Sequence, residues 1–536
     1  MTEASAGATS KVFVRNATGL TRQVSGISAL MANLVAMGVA TTFFYTFFAS
    51  LLYTGVDLPL TVLVGIAPAI VVGLVYYLFS VAMPRTGGEY VWVSRTLNPS
   101  LGFLANFIIT SILWESFATA TAISISFGLV PMLGGLGLLY HNSNLTSLAT
   151  TFSGPPYNLA IIIAIISVSM IPAFLGTKAV FRTLWVIFLI AALGTLVTAG
   201  AFLIAGPSTF QANFNAMSGM NFNNVISTAA LPKGFTLAGT LFGSVFTIEA
   251  FFGYNWSTYY NGEVKKVERS QLLGIIGGIF VFAIFMGIVF ESAYYAMGPD
   301  FVNAISALGG TGNAAYTLPG PPVLNMLVVF AAPNAVVVVL AGLAVLALAV
   351  SSDILFSFIV VRNMFAWSFD RVLPEWFTRL DAKRGAPYLA LLVTWVLTVI
   401  AAFVYVYTTV FQFIIYQPAL FNIAYLITSV AAIVFPYWKK PIFETAPDIV
   451  KKKVGGVPVI SILGILGVIF SAFVTISALL PAVTPPPSGS VIVQYFAYLT
   501  IPVTIIAAFV IFGISYYYRK SHGLNLQLAF QEIPPE

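Results

Sequence analysis

Twelve runs of mostly apolar residues, each long enough to cross a lipid bilayer as a helix, recur along the chain and constrain its fold most. The runs are continuously apolar, unlike the alternating strands of membrane barrels, so they predict helices. We number them as spans 1 to 12, near residues 24–52, 58–83, 100–132, 158–175, 182–206, 235–260, 271–298, 333–367, 388–407, 410–438, 458–480 and 493–518. The predicted fold class is an all-α integral membrane protein with about twelve transmembrane helices.

The composition excludes the main alternatives to a membrane protein. Only 7% of the 536 residues are charged, whereas soluble domains carry about 25% charged residues. The sequence has no cysteine and two histidines, which excludes disulfides, thiolate chemistry and most metal sites, so we expect no cofactor and no metal. It also has no GxxxxGK nucleotide-binding loop, which argues against an ATP-driven pump. We therefore expect a protein that is not an enzyme.

Basic residues fall almost entirely on one side of the predicted spans. All 23 lysines and arginines except Lys233 lie there, among them Lys11, Arg15, Lys383 and Arg384. The positive-inside rule makes this the cytoplasmic side and places both termini there, in a multi-pass protein of the cytoplasmic membrane. Because the net charge of +6 lies in these loops, the expected partner is the lipid bilayer and not nucleic acid.

The spans also divide the chain into segments. The first tail is polar and lacks the apolar core and cleavage site of a signal peptide. The predicted segments are a cytoplasmic tail at 1–22, a core with spans 1 to 10 at 23–438, a basic loop with spans 11 and 12 at 439–518, and a cytoplasmic tail at 519–536.

Three loops on the opposite side are polar but nearly uncharged. They lie near 133–157, 207–233 and 299–332, are rich in Gly, Ser, Thr, Asn and Pro, and carry only Asp300 and Lys233 as charged residues. We expect them to be solvated although they are uncharged, which fits either an acidic exterior, where carboxylates would titrate, or drift in short polar loops.

Four separated segments resemble the amino acid–polyamine–organocation (APC) superfamily of permeases. The segment after span 2 is similar to the family's Pro, Gly-Gly, Tyr-Val and Gly-Phe-Leu pattern. Residues Gly253 to Val264 are similar to the family's Gly-Phe-Glu motif, which is followed by Glu-Val-Lys-Asn-Pro. The segments are PRTGGEYVWVSRTLNPSLGFLANF, FFGYNWSTYYNGEVKKVERS, VVRNMFAWSFDRVLPEWFTRLDAKRGAP and KKPIFETAPDIVKKKVGGVP. Their order and spacing match the family over most of residues 20–480.

The resemblance implies a LeuT-type fold of two inverted five-helix repeats, with spans 11 and 12 outside them. It places the substrate near mid-membrane, beside unwound segments of spans 1 and 6. The chain departs from the family in span 1. The family usually has Gly-Ser-Gly or Gly-Ala-Gly there, where its backbone receives a substrate carboxylate, whereas this chain has one glycine. It also departs in span 6, where Asn255 replaces the glutamate of Gly-Phe-Glu, and Glu249 stands at a usually apolar or aromatic position.

Span 1 contains a candidate break in its helix. Unpaired peptide groups cost several kcal/mol in hydrocarbon, so a broken helix persists only beside a polar cavity, where freed amides and carbonyls can hold a ligand. The alternative is a close helix contact made by small residues. The predicted substrate-binding residues of this stretch are Met37, Gly38, Val39, Ala40 and Thr41.

Span 6 contains a second candidate break, centred on Gly253. Its aromatic residues, including Trp256, are suited to wall a pocket, and Asn255 is suited to orient a ligand. The alternative for each aromatic is packing or contact with lipid. The predicted substrate-binding residues here are Glu249, Phe252, Gly253, Tyr254 and Asn255.

Four acidic residues lie within the predicted spans. A charge at the bilayer centre costs at least about 2.5 kcal/mol, so such acids face cavities, form pairs or bind protons. We expect a structural role for Glu291, which lies near the outer face. We expect the other three acids to couple transport to an ion. If that ion is Na⁺ and not H⁺, Ser351 and Ser352 are suited to supply oxygen ligands. The predicted coupling residues are Glu115, Glu249, Ser351, Ser352 and Asp353. The alternative is a neutral, hydrogen-bonded structural acid.

Arg362 begins the inner end of span 8, where we expect it to snorkel or to pair with a loop acid. Glu263, Lys265, Lys266 and Arg269 form either an inner gate network or an ordinary positive-inside loop.

These observations predict a secondary transporter that moves an amino acid or related amine by alternating access, with proton symport as the preferred coupling. Intramembrane acids outnumber bases, which favours a ligand that bears an amino group. The alternatives are a carrier of polyamines or organic cations, a sodium-coupled carrier, and a non-transporting accessory subunit or sensor.

Overall fold

The computed structural model describes residues 21–381, 385–408, 416–479, 491–524 and 526–530. These residues are almost all helical, which confirms the all-α fold class. The predicted basic residues Lys11, Arg15, Lys383 and Arg384 lie outside the described residues. So do residues 1–20 and 531–536 of the two predicted tails, the start of span 10 and the end of span 11.

The described chain forms 23 α-helices and one short hairpin. In chain order they are α1 (Gly26–Met37), α2 (Thr42–Leu52), α3 (Leu58–Ala82), α4 (Glu89–Thr96), α5 (Pro99–Ser124), α6 (Val130–Leu139), α7 (Ser143–Ser153), α8 (Tyr157–Leu175), α9 (Thr177–Met217), α10 (Phe222–Ala229), α11 (Leu237–Ala250), α12 (Val267–Gln271), α13 (Gly278–Met297), α14 (Pro299–Gly310), α15 (Leu324–Ala331), α16 (Ala335–Phe369), α17 (Tyr388–Tyr407), α18 (Tyr416–Trp438), α19 (Lys440–Thr445), α20 (Asp448–Lys451), β1 (Lys453–Val454), β2 (Val457–Pro458), α21 (Val459–Leu479), α22 (Val491–Ser521) and α23 (Leu526–Ala529). Four further turns are π-helical at Ile125–Leu129 and Leu272–Gly277 and 3₁₀-helical at Trp256–Glu263 and Glu375–Thr378.

Eleven helical stretches of the described chain are long and apolar enough to cross a bilayer. They coincide with eleven of the twelve predicted spans. Span 6 differs because its helix α11 has only 14 residues, or about 21 Å, against a hydrocarbon core of about 30 Å. The inverted repeats implied by the resemblance remain a prediction.

Both predicted helix breaks are present. The first break, residues 38–41, separates α1 from α2, and Gly38 there has φ 73°. The second break, residues 251–255, follows α11 and leads into the 3₁₀ helix, and Gly253 there has φ 109°. Both angles lie in the left-handed region that glycine enters without steric strain, so the two glycines permit the chain to leave the helix.

The three polar loops contain helices. They hold α7, α10, α14, α15 and the last part of α9, which is kinked at Gly206, where φ is 62°, and ends at Met217. At eight residues, α15 is short, but all of it is buried against its neighbours.

Small residues allow several helices to approach closely. A Cβ at Gly194 of α9 would lie 2.2 Å from the backbone oxygen of Leu340 in α16, and one at Gly464 of α21 would lie 2.7 Å from that of Ser429 in α18. Such contacts supply much of the association between helices in lipid, where the hydrophobic effect does not drive it. These glycines therefore fix distances between helix axes.

Replacement of Gly194 tests this packing. Gly194→Ala should lower the melting temperature in detergent, because its methyl group would overlap Leu340 and overpacking costs about 1–3 kcal/mol. The control is Gly200→Ala in the same helix, where a Cβ would meet nothing within 4 Å and alanine is the better helix former. Equal melting temperatures for the two variants would contradict this packing.

Candidate functional site

A cavity of about 630 Å³ lies beside the two helix breaks. Its walls come mainly from α2, α5, α11, α16 and α18. The lining residues are Ala36, Met37, Thr41, Phe44, Tyr45, Phe48, Leu51, Leu52, Leu113, Ser116, Thr119, Ala120, Ile123, Phe246, Glu249, Ala250, Phe252, Trp256, Leu348, Ser352, Phe356, Gln417 and Phe421. Most of them are apolar, and the volume is suited to a small organic molecule.

The cavity brings together five of the predicted site residues. These are Met37, Thr41, Glu249, Phe252 and Ser352. The other predicted residues lie nearby but outside the lining. They are Gly38, Val39, Ala40, Gly253, Tyr254, Asn255, Glu115, Ser351 and Asp353.

The first break is packed tightly, and much of its hydrogen bonding is internal. A Cβ at Gly38 would lie 2.4 Å from the side chain of Leu348 in α16. The Thr41 hydroxyl donates to the Gly38 carbonyl at 2.7 Å, and the Thr42 hydroxyl donates to the Val39 carbonyl at 3.3 Å. The threonines therefore satisfy carbonyls that the break releases from the helix.

The second break packs directly against α1 and is held there by Asn33. A Cβ at Gly253 would lie 2.6 Å from that of Ala36. The Asn33 side-chain amide donates to the Tyr254 carbonyl at 2.5 Å and to the Ser257 hydroxyl at 3.1 Å, and its oxygen accepts the Ser257 N–H at 2.9 Å. One buried amide thus satisfies both a carbonyl and an N–H of the broken helix.

The hydrogen bonds of Asn33 continue into two further helices. The Ser257 hydroxyl donates to the Gln271 side-chain oxygen in α12 at 2.6 Å, and the Gln271 amide donates to the Asn261 oxygen at 2.8 Å. The Asn261 amide then donates to the Ser80 carbonyl in α3 at 2.8 Å. The sequence analysis did not identify these residues. Asn33 lies within an apolar span, about one helical turn before the glycine break, and an asparagine at such a position could have indicated a buried hydrogen-bonding role.

Asn255 and Tyr254 lie behind the cavity wall. The Tyr425 hydroxyl donates to the Asn255 side-chain oxygen at 3.1 Å. The Asn255 amide nitrogen is buried and has no partner among the residues that the structure describes. Phe252 is the aromatic residue of this break that reaches the cavity, where its ring lies 4.9 Å from that of Phe421.

The acidic residues of the spans lie in four different environments. Glu249 lines the cavity and is half-buried, and no residue of the described ranges forms a hydrogen bond with its side chain. Glu115 accepts a hydrogen bond from the Tyr416 hydroxyl, and Asp353 is buried and accepts one from the Thr121 hydroxyl at 3.0 Å. Glu291 is exposed, near the end of α13.

Buried ion pairs lie at one end of the helix bundle, which we call the basic end and define by Arg95, Glu263, Arg362 and Asp370. The Arg362 guanidinium lies 2.9 Å from the Glu263 carboxylate, so its predicted pairing with a loop acid is confirmed. The Thr177 hydroxyl donates to the same carboxylate at 2.7 Å. Of the four residues of the predicted inner gate network, Glu263 is therefore part of a buried ion pair. Lys265, Lys266 and Arg269 are exposed.

Backbone pairing reinforces the basic end next to this ion pair. The segment before α1 forms a parallel bridge between Val24 and Val264. The N–H groups of Gln23 and Val24 both donate to the Glu263 carbonyl at 2.8 Å, and the Lys265 N–H donates to the Val24 carbonyl at 2.9 Å. The bridge therefore ties the entry of α1 to the exit of the 3₁₀ helix.

A second buried ion pair at this end was not foreseen. The Arg95 guanidinium lies 2.6 Å from the Asp370 carboxylate, and the Phe530 ring lies 5.0 Å from the guanidinium carbon. Arg95 thus joins α4 to the end of α16 and to the segment that follows α23.

Glu89 is a buried acid of the basic end and lies outside the membrane-crossing helices. Its carboxylate accepts a hydrogen bond at 2.8 Å from Asn106, whose own oxygen accepts the Trp367 indole N–H at 2.8 Å. Burial raises the pKa of Glu89 to about 7, and the hydrogen bond from Asn106 offsets only part of that rise. Near neutral pH this group is therefore poised between its two protonation states.

Comparisons with known proteins agree with this architecture. A family model described as "Amino acid permease" matches residues 24–511. The chain is also similar to "Uncharacterized protein 399" of Sulfolobus islandicus rod-shaped virus 1, with 24% identity over 272 residues, which are 50% of this chain and 56% of the viral protein. The match thus spans about half the length of that relative.

Removal of Asn33 tests whether it holds the second break. Asn33→Ala should lower the melting temperature in detergent, because the Tyr254 carbonyl and the Ser257 N–H lose partners and each unpaired buried group costs about 1–3 kcal/mol. The matched control is Asn223→Ala, which alters an exposed side chain. A melting temperature for Asn33→Ala equal to that of the control would refute this role.

Glu89 should make stability depend on pH. The pKa of Glu89 is raised in the folded protein, so the folded protein keeps a proton that the unfolded chain loses. The free energy of unfolding should therefore fall as the pH rises from about 4.5 to about 7, by up to about 3 kcal/mol. Glu89→Gln should therefore melt higher than the wild type above about pH 7, with a gap that closes towards about pH 5. Exposed Glu268→Gln is the control, and a gap independent of pH would rule out this titration.

Proposed function

Because the chain belongs to the amino acid permease family of the APC superfamily, we propose that it is a secondary transporter that moves an amino acid or related amine across the cytoplasmic membrane. The proposed mechanism is alternating access coupled to protons. The observation that carries this proposal is the cavity of about 630 Å³ beside two broken helices, which is where the physics of unpaired backbone in lipid predicts a ligand.

The hydrogen bonds of Asn33 support movement of one group of helices as a unit. They join α1, α3, the 3₁₀ helix and α12, which belong to predicted spans 1, 2, 6 and 7. The opposite wall of the cavity has its own links, from Tyr416 to Glu115 and from Thr121 to Asp353. We propose that the first group rocks against this second wall, and that the cavity lies at their boundary.

The closed basic end suggests which side the cavity serves in this conformation. Under the positive-inside orientation, the basic end faces the cytoplasm. The Arg362–Glu263 pair and the Val24–Val264 bridge close that end, whereas the cavity extends along α2 as far as Leu51 and Leu52 at the other end. This arrangement fits a state closed to the cytoplasm, and release of ligand inward requires the basic end to open.

The acidic residues support proton coupling more strongly than the serine hydroxyl groups support sodium coupling. Glu115, Glu249 and Asp353 lie in apolar surroundings where the protonated form is favoured, so each is suited to take and release a proton. The Ser351 hydroxyl donates to the Leu348 carbonyl of its own helix at 3.1 Å, a common local role. Ser352 lines the cavity and remains the serine best placed for an ion.

Uptake into proteoliposomes tests the transport proposal. Purified protein should accumulate radiolabelled amino acids or amines when a proton gradient is imposed, directed inward if coupling is symport and outward if it is exchange. Ala120→Trp should reduce uptake at least tenfold, because Ala120 lines the cavity and the indole would fill much of it. The matched control, Ala160→Trp, alters an exposed site on α8 and should transport normally.

Two outcomes would contradict the proposal. If no amino acid or amine crosses the membrane in the presence of the folded protein, the chain acts as an accessory subunit or sensor. If Ala120→Trp keeps its melting temperature and transports at the rate of Ala160→Trp, solute does not pass through this cavity.

A further inference from the structure

We infer that the cavity selects a ligand with one ammonium group and a bulky apolar body, without need of a carboxylate, and that the ammonium group displaces a proton from Glu249. The inference rests on the proposed function and specifies its substrate class. It also favours exchange of amine against proton over the symport predicted from the sequence.

The charges around the cavity support an ammonium group. Glu249 is the one acidic residue of the lining, and the lining residues of the described chain include no lysine, arginine or histidine. A ligand carboxylate would therefore enter a mostly apolar space that offers it no cation and only neutral donors such as Ser116, Ser352 and Gln417, so its burial there would be costly. A ligand ammonium would instead meet the carboxylate of Glu249.

The backbone at the first break does not offer a carboxylate site on this cavity. Val39 and Ala40 are buried and do not line the cavity. Thr41 does line it, but its N–H and its hydroxyl both donate to the Gly38 carbonyl, at 2.9 Å and 2.7 Å. The residue that comes from residues 38–41 to the cavity therefore already uses both of its donors within the break.

Aromatic rings define the shape of the remaining space. Tyr45 and Phe246 have ring centroids 5.9 Å apart, and Trp256 and Phe356 have centroids 5.4 Å apart. All four rings line the cavity. Such walls hold an apolar or aromatic body by burial of its surface and attract a cation through their π faces.

The isolation of Glu249 implies proton displacement. In the empty cavity, a lone carboxylate without a hydrogen-bond partner in the described chain is unfavourable, so the neutral carboxylic acid is the stable form. When R–NH₃⁺ binds, the O–H bond of Glu249 breaks, the proton leaves to water and the ammonium keeps its three protons. The site is then neutral both before and after binding, which avoids a net charge in hydrocarbon.

No other titratable group is placed to replace Glu249 in this role. Tyr45 on α2 is the titratable side chain facing it, and α3 and α21, which also pack against α11, have no acidic or basic residue. Glu115 and Asp353 bond to Tyr416 and Thr121 and lie outside the lining.

Calorimetry on the purified full chain in an uncharged detergent tests the inference. The probes are 2-phenylethylamine, phenylalanine and 3-phenylpropionate, each titrated in phosphate and in MOPS, whose ionisation heats differ. The amine should bind more tightly than phenylalanine and release about one proton, and phenylpropionate should not bind. Affinity for the amine should rise up to about tenfold per pH unit while Glu249 is protonated.

Two variants with the same chemical change sharpen the test. Glu249→Gln should bind the amine at least tenfold more weakly and release no proton. Glu291→Gln, an exposed acid outside the cavity, should behave as the wild type. Melting temperatures of both variants establish that they are folded. The inference is overturned if Glu249→Gln binds the amine like the wild type, if no proton is released, or if phenylpropionate binds as tightly as the amine.

The same experiments separate this inference from the transport proposal. If amino acids enter proteoliposomes but the amine neither binds nor competes, the inference fails and the carrier stands. If the amine binds with release of a proton but no solute crosses, the carrier fails and the amine site stands.

Discussion

The hydrogen bonds of Asn33 are the interaction on which the arrangement of this protein depends. Two helices break next to each other inside the bundle, where an unsatisfied peptide group is costly. Asn33 offers a donor and an acceptor at once, and it uses them on the Tyr254 carbonyl and the Ser257 N–H. Because Asn33 belongs to the first broken helix, the same side chain fixes the position of the second break against the first.

Three of the four acids of the spans belong to helices on the two walls of the cavity, whereas Glu291 is exposed. Glu249 lies on the wall that the Asn33 hydrogen bonds hold together, whereas Glu115 and Asp353 are bonded to residues of the opposite wall. A change in the charge of Glu249 therefore acts at the boundary between the walls. At the basic end the Arg362–Glu263 pair joins α16 to the end of the 3₁₀ helix at Trp256–Glu263, so under the proposed mechanism it links the same two groups of helices.

Sequence reasoning found those features that are local along the chain. Continuous apolar runs predicted the spans, and Gly38 and Gly253 predicted where two of them break. It could not find the Arg95–Asp370 pair, because 275 residues separate the partners and pairing at that distance leaves no periodic pattern. Nor could it tell that Phe252 faces the cavity while Asn255 lies behind it, since the backbone turn at Gly253 decides the direction of each side chain.

Under the proposed mechanism, the bridge between Val24 and Val264 would make the basic end a latch, whose contacts must break before that end opens. Two of the three backbone hydrogen bonds and the Arg362–Glu263 pair share the Glu263 residue, and the third hydrogen bond joins the Lys265 N–H to the Val24 carbonyl. If each contributes about 1 kcal/mol, the unlatched form is a rare state at equilibrium. Under the proposed mechanism, a ligand would leave towards the cytoplasm only while the protein is in this rare state.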